Sequence, residues 1–413
     1  MAAAAIVAVS AQTPATPAAP ATKAYEAVSL FGTPLVSSPP DAASLERYMQ
    51  ARRDFEAAPT EEHSIWLGRR AAYLGRYREA IRIYTEGLQR FPESYRLYRH
   101  RGHRFVSVRQ FGRAIADLEK AAALARGKPL EVEPDGTPNR AGIPVSNTHF
   151  NIYYHLGLAH YLSRDFAAAD AAYRECLKWS KNDDSIVAVS DWLYMTLRRT
   201  GRAEAASQVL APIRRGMSLI ENDPYLERLL MFKGEIAAEE FSRPTPGENA
   251  SQAAIRAYGM GLARLWAGDR AGASRWFEPL VDGGGWASFA AIAAEVELAD
   301  LTRGAPDRRT PASTLRAWTL AWNAYDLDLA GRLFAANPEP TYFSSEVPGR
   351  IVAQESVDAL VDGFYFGLVQ DRLAAGVIVA VQGSQLVQHL ERDGLVEDHA
   401  KGAHKAAQTR NQA

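Results

Sequence analysis

The sequence predicts a mainly α-helical protein, a solenoid of helix–turn–helix repeats followed by a small α+β segment. Small and apolar residues recur with a constant spacing between positions 66 and 121, and looser copies follow as far as residue 300. Beyond residue 310 the repeat stops and short strand-like runs appear. A hydrophobic fraction of 47% and a charged fraction of 23% over 413 residues are typical of soluble globular chains, which excludes a wholly disordered or collagenous protein.

The repeat alternates small and large residues in a fixed order. Small residues stand where two helices must approach closely, and large apolar residues stand where the space beside the next helix must be filled. Five pairs of positions show the 34-residue spacing: Gly68 and Gly102, Tyr77 and Phe111, Ala80 and Ala114, Tyr84 and Leu118, and Gly87 and Ala121. Each unit buries its apolar surface by stacking on its neighbours, so the pattern predicts an extended array of helix pairs.

This pattern resembles the tetratricopeptide repeat (TPR), a helix–turn–helix unit with the same period. The match recurs at residues 156–176 and, more loosely, at residues 192–209 and 261–280. The closing stretch, residues 285–302, is similar to the end of secreted bacterial TPR proteins. The resemblance implies an α-solenoid that binds proteins or peptides in a concave groove, which the first helix of each repeat lines.

Composition divides the chain into five expected parts. They are a truncated signal peptide at 1–11, a Pro/Ala/Thr-rich linker at 12–40, the solenoid at 41–305, a small α+β segment at 310–398 and a disordered tail at 399–413. Residues 126–147 break the 34-residue register and hold four prolines and three glycines, so we expect an inserted loop there.

The first eleven residues favour export from a bacterial cell. They form a short apolar run that ends in Val9-Ser10-Ala11, a small-residue spacing that a signal peptidase accepts. A basic n-region is absent, so either the true start lies upstream or the run is a disordered Ala-rich terminus. We therefore expect a periplasmic or secreted protein, with a cytoplasmic protein as the alternative.

The TPR resemblance also implies which side chains line the groove. The predicted partner-binding residues are Arg69, Tyr73, Arg96, Arg99, His103, Asn151, Tyr154 and Tyr161. Arginine pairs in two-pronged fashion with carboxylates or phosphates, and tyrosine adds flat contact area with one polar end. Some relatives carry a carboxylate clamp of Lys and Asn, but Ile65 and Arg69 occupy those positions here, which disfavours the clamp's chaperone partner.

Local charge supports the same surface. The formal net charge of the whole chain is −1, yet residues 62–128 contain 15 Lys and Arg against 6 Asp and Glu, a surplus of nine. We therefore expect an acidic peptide, a C-terminal carboxylate or an anionic polymer in the groove, on a non-enzymatic scaffold. Two alternatives remain open: charged helix faces that are merely solvated, and a purely structural assembly element.

Catalytic and cofactor chemistry is not expected. His100 and His103 share a helix face, but no carboxylate completes a zinc site at matching spacing. Cys176 takes a small-residue position of a second helix and is expected to be buried and unreactive. Phosphate-binding Gly-rich loops, a nucleophile elbow and aromatic RNA-binding motifs are absent, and no apolar run is long enough to span a membrane.

The last hundred residues show a different order of elements. A helical run at 313–334 precedes strand-like residues 341–345, a turn and a second helical run at 355–367. This order resembles the first half of the SnoaL-like and nuclear-transport-factor superfamily of cone-shaped α+β domains. A further strand is expected at 375–381, which leaves either an incomplete domain or a different appendage. The alternative function is therefore a solenoid that carries a small-molecule-binding or enzymatic C-terminal domain.

Overall fold

The computed structural model describes residues 25–302 and the backbone of three short strands further along the chain. Within these residues the chain is mostly helical. The helices are α1 (Ala42–Ala57), α2 (Glu61–Tyr73), α3 (Tyr77–Arg90), α4 (Tyr95–Ser107), α5 (Phe111–Ala125), α6 (Thr148–Leu162), α7 (Phe166–Trp179), α8 (Asp183–Arg199), α9 (Ala203–Leu210), α10 (Asp223–Lys233), α11 (Ala238–Phe241), α12 (Ala250–Trp266), α13 (Arg270–Asp282) and α14 (Phe289–Leu301).

The first helix of each pair begins at a capping residue that the repeat supplies. Thr60 Oγ1 accepts a hydrogen bond from the His63 amide at 3.1 Å at the start of α2, and Ser94, one repeat later, caps α4 in the same way. A capping side chain satisfies an amide that the helix itself cannot pair. The repeat period therefore sets where these helices begin.

Close approach of the two helices in a pair explains the recurring glycines. A Cβ at Gly68 would lie 2.2 Å from the Tyr84 ring, and a Cβ at Gly261 would lie 2.2 Å from the Phe277 ring. In both pairs the aromatic residue lies 16 positions after the glycine and is fully buried. The predicted combination of a small residue and a large apolar residue is confirmed.

The fourth pair, α8–α9, differs from the predicted register by one residue. Ala206 and Leu210 are buried there, whereas Ala205 and Val209, which the loose match at 192–209 places at the buried positions, are only partly buried. Helix α9 begins at Ala203, so its buried alanine stands three residues after the helix start, as Ala80 does in α3. The loose consensus of this repeat misplaced the start of the helix.

Residues 25–36 correct the expectation of an extended linker at 12–40. They form a short hairpin of β1 (Ala27–Val28) and β2 (Pro34–Leu35), in which Ala27 pairs with Leu35. Ala27 and Leu35 are buried in the same core cluster as residues of α4 to α14. Tertiary contacts therefore order a stretch whose composition alone favours an extended chain.

The C-terminal end of the solenoid folds back onto its beginning. Helix α14 packs against α13 and α12 and also contacts α6. Just before it, the Trp286 indole N–H donates to the Val36 carbonyl at 3.0 Å, and the Trp286 ring meets Tyr77 edge to face. The hairpin, the second repeat and the last helix thus enclose one continuous core.

Three strands are described in the C-terminal segment: β3 (Thr341–Ser344), β4 (Arg350–Val352) and β5 (Val377–Ala380). They form an antiparallel sheet in the order β4-β3-β5, with Tyr342 opposite Ile351 and Val379. The strands expected at 341–345 and 375–381 are confirmed. The helical runs expected at 313–334 and 355–367, the signal at 1–11 and the tail at 399–413 lie outside the described residues.

Candidate partner-binding groove

The first helices α2, α4 and α6 carry all eight predicted partner-binding residues, but the structure separates them. Five contact the inserted loop, residues 126–147: Arg69, Tyr73, Arg96, Arg99 and Asn151. His103 and Tyr154 lie beside α14, and Tyr161 lies in the core. The groove expected from sequence is therefore already filled by two other parts of the same chain.

Residues 130–136 of the inserted loop, here called the acidic segment, contain Glu131, Glu133 and Asp135. The segment runs beside the chain that enters α6. The Glu133 amide donates to the Ser146 carbonyl at 3.1 Å, and the Thr148 amide donates to the Glu131 carbonyl at 3.0 Å. These two backbone hydrogen bonds hold the segment extended against α2, α4 and α6.

Carboxylates of the acidic segment meet the predicted arginines. Arg99 Nη2 lies 3.0 Å from Glu133 Oε1, and Asn151 Nδ2 donates to Glu133 Oε2 at 3.0 Å. Arg96 pairs with Glu62 and lies 4.0 Å from Glu131. Two carboxylates spaced by one residue thus lie on two arginines of the same helix, α4.

Backbone carbonyls of the segment are also recognised. Arg69 Nη2 donates to the Pro134 carbonyl at 2.7 Å, and Arg70 Nη1 donates to the Gly136 carbonyl at 2.6 Å. Gly136 packs on the Tyr73 ring so closely that a Cβ would lie 1.9 Å from the Tyr73 hydroxyl oxygen. Helix α2 therefore binds the main chain of the segment, while α4 binds its acids.

Burial makes the Arg99–Glu133 contact the centre of this surface. Arg99 is 6% exposed and Glu133 is 8% exposed. Burial lowers the Arg99 pKa, and the Glu133 charge opposes that shift. Arg99 Nη1 lies 2.8 Å from His100 Nδ1, and burial together with Arg99 lowers the His100 pKa well below its usual value. A neutral His100 can accept from Arg99, which leaves Glu133 as the compensating charge.

The cleft that remains beside the acidic segment is small. It has a volume of about 20 Å³ and lies between α2, α4 and the segment, with Ile65, Arg69, Arg96 and Glu133 among its lining residues. A space of this size holds about one water molecule. A peptide could lie here only where the acidic segment now lies.

The other predicted residues are covered by α14 or lie in the core. The His103 and His155 rings lie 4.0 Å apart, centroid to centroid, and the His103 ring lies 5.3 Å from Phe289 of α14. Tyr154 is buried and its hydroxyl accepts a hydrogen bond from the Trp192 indole at 2.9 Å. Tyr161 is 1% exposed. This burial corrects the expectation that Tyr154 and Tyr161 line an open groove.

Helix α14 brings its own carboxylates to arginines of the repeats. Glu295 pairs with Arg109 at 2.7 Å, in the turn after α4. Glu297 forms ion pairs with Arg164 at 3.1 Å and with Arg199 at 2.7 Å, which lie at the ends of α6 and α8. All nine residues from 290 to 298 are buried, so α14 is packed on every face.

Sequence reasoning missed the residues that fill the groove. Glu131, Glu133 and Arg70 were not selected, and the inserted loop was treated as a break in register only. The charge imbalance offered a clue: a surplus of nine over residues 62–128 requires acids elsewhere in a nearly neutral chain. Glu131, Glu133 and Glu295 are among those acids.

Reactive and metal-binding groups do not form a second kind of site in residues 25–302. Cys176 is buried, as expected, and burial raises its thiol pKa well above the usual value. No group of three His, Cys, Asp or Glu residues in the described part of the chain could hold a metal ion. Among the described helices, none is long and apolar enough to cross a membrane.

The tetratricopeptide repeat family model matches residues 150–183 of this chain. The matched residues cover α6 and α7 and reach the start of α8. No curated protein matches the chain. The helix pairs form a helical solenoid, and its α6–α7 pair matches the tetratricopeptide repeat.

Solved structures of similar architecture include three proteins whose sequences differ widely from this chain. A TPR protein from Parabacteroides merdae is 13% identical, with 62% of this chain and 92% of that chain covered and a TM-score of 0.37. The Naa15/Naa10 complex bound to HypK-THB is 15% identical, with coverage of 70% and 42% and a TM-score of 0.27. The APC/C hetero-tetramer Cut9–Hcn1 is 13% identical, with coverage of 71% and 76% and a TM-score of 0.25.

Proposed function

We propose that this protein is a non-enzymatic interaction scaffold that binds an acidic, extended segment of a partner protein on the concave side of α2, α4 and α6. The observation that carries the proposal is the position of its own acidic segment. Carboxylates and carbonyls of an extended chain already lie on Arg69, Arg96 and Arg99. The surface therefore has the donors that such a ligand needs.

Geometry favours this function over a merely solvated helix face. A solvated arginine would extend into water, whereas Arg99 is buried and Arg69 and Arg70 each donate to a main-chain carbonyl. Two-pronged cations that meet both the side chains and the backbone of an extended peptide are typical of peptide recognition. An anionic polymer without peptide carbonyls would leave the donors of α2 unused.

The proposal includes a location outside the cytoplasm of a bacterium, supported by the small-residue run before residue 12. The alternative, a ligand-binding or enzymatic SnoaL-like domain, rests on residues 310–398, of which three strands are described. It stays a prediction.

A binding experiment tests the groove. The probe is a labelled peptide with the sequence of residues 130–136, followed by fluorescence anisotropy. It is titrated into the full chain carrying Glu133→Gln, which weakens the binding of the chain's own acidic segment and leaves the groove to the probe. We expect Arg96→Glu to weaken binding at least tenfold, because it places a like charge against the probe. Loss of an ionic contact at a peptide-binding surface has effects of this order.

Arg82→Glu provides the matched control. Arg82 is an exposed arginine of the second helix α3, paired with Glu86 at 2.8 Å and away from the acidic segment. It should leave the dissociation constant unchanged. Equal binding by the Glu133→Gln chain alone, with Arg82→Glu and with Arg96→Glu would contradict the proposed site.

A further inference from the structure

The acidic segment is held almost entirely by polar contacts. Its apolar side chains face water: Leu130 is 41% exposed and Val132 is 60% exposed. Little apolar surface is therefore lost when the segment leaves the groove, and the hydrophobic effect does not fix it there. What holds it are the arginine contacts and the two backbone hydrogen bonds to Ser146 and Thr148.

Two glycines flank the segment in left-handed backbone conformations. Gly127 follows α5 with φ 71°, and Gly142 lies beyond the segment with φ 65°. A Cβ at either position would meet no atom within 4 Å, so each glycine is surrounded by open space. These left-handed positions favour glycine and leave the chain free to change direction on both sides of the segment.

Arg99 determines when the acidic segment can leave the groove. It is buried, Glu133 is its carboxylate partner, and its Nε has no hydrogen-bond partner among the described residues. A buried charge that loses its partner is strongly destabilising. Departure of Glu133 is therefore favourable only when another carboxylate takes its place.

We infer that the acidic segment is a built-in ligand, displaced by a partner segment that carries two carboxylates spaced by one residue in an extended chain. This inference rests on the proposed function and defines its partner and its regulation. One carboxylate replaces Glu133 on Arg99, the other replaces Glu131 beside Arg96, and Arg69 and Arg70 donate to new main-chain carbonyls. The internal segment is tethered, so its local concentration at the groove is of millimolar order. A weakly acidic segment of another protein therefore competes poorly with it.

The test uses the full chain and the labelled peptide of residues 130–136. Glu133→Gln removes the charge of the built-in ligand and leaves Arg99 ready for the carboxylate of the probe. We expect the peptide to bind Glu133→Gln at least tenfold more tightly than the wild type. Glu119→Gln, an exposed carboxylate of α5 outside the groove, should match the wild type.

Hydrogen exchange on the wild-type chain gives a second readout that needs no variant. At saturating peptide, the Glu133 amide should lose protection, because displacement breaks its bond to the Ser146 carbonyl. Equal affinity of the wild type and Glu133→Gln, or unchanged protection of the Glu133 amide in the complex, would overturn the built-in ligand. Arg96-dependent binding would in that case leave the proposed function standing. If the peptide bound neither protein, the proposed function itself would fail.

Discussion

The two halves of the concave face are filled in different ways. Near α2 and α4, a loop brings Glu131 and Glu133 to arginines and keeps its apolar side chains in water. On the other side, the helix α14 brings Glu295 to the turn after α4 and Glu297 to the end of α8, and it is buried on every side. Both halves pair arginines of the repeats with distant acids, but only α14 adds a large apolar interface.

Helix α14 therefore covers its half of the concave face permanently, whereas the acidic segment covers the other half in an exchangeable way. Helix α14 can leave only by exposing its whole apolar surface, and the buried side chains of Ile292, Val296 and Leu298 each contribute about 1.5–3 kcal/mol to keeping it in place. The acidic segment can leave when its charges are replaced. The C-terminal half therefore provides the rigid frame on which the N-terminal half can exchange one ligand for another.

The largest effect is expected in α14, which covers its half of the concave face permanently. Glu295→Ala leaves Arg109 buried without its carboxylate and removes the acceptor of the Leu30 amide. We expect the free energy of unfolding to fall by about 3–5 kcal/mol, measured by urea denaturation. Glu240→Ala, an exposed acid in α11, should change it by less than about 0.5 kcal/mol. A loss below about 1 kcal/mol for Glu295→Ala, the range of exposed pairs, would show that α14 is not held as described.

Acid should lower the free energy of unfolding, because two buried histidines lie between the two halves of the concave face. Burial is the main cause that lowers the pKa of both His103 and His155, with Arg104 and Arg99 as the next contributions. Below the ordinary value of about 6.5 the unfolded chain binds more protons than the folded chain, so stability is full above that pH and falls below it. Each histidine contributes up to about 1 kcal/mol of loss between pH 6.5 and 5.5.

A variant isolates the histidine contribution from the other groups that titrate in this range. His103→Phe keeps an aromatic ring beside Phe289 and removes the titration, so the fall between pH 7.5 and 5.5 should be smaller than in the wild type. Equal falls in the wild type and His103→Phe would contradict the assigned cause.

The smallest expected effect tests the exchangeable half. The Glu131–Arg96 pair is 4.0 Å long, with side chains 45% and 28% exposed. Partly exposed pairs contribute less than about 1 kcal/mol, so Glu131→Gln should change the free energy of unfolding by no more than that. Urea denaturation provides the measurement, with Glu93→Gln as an exposed control. A loss well above that bound would show that the segment is a fixed part of the fold.

Local patterns predicted the repeat well, because each helix pair satisfies its own requirements. The spacing from Gly68 to Tyr84 encodes a close helix contact, and Thr60 and Ser94 encode helix starts one repeat apart. The groove was predicted less well. The repeat pattern places Arg99 on a first helix, but its partner Glu133 lies beyond the end of α5, in a loop without periodic structure.

The sequence by itself determined the helix pairs, their capped starts and the excess of positive charge in the first repeats, since these depend on residues within one or two units. Only the tertiary structure decided what covers that charge. Pro134 of the acidic segment reaches Arg69 across a sequence separation of 65, and Glu295 reaches Arg109 across one of 186. Periodicity cannot specify contacts at such separations, because they depend on the curvature that accumulates as the repeats stack.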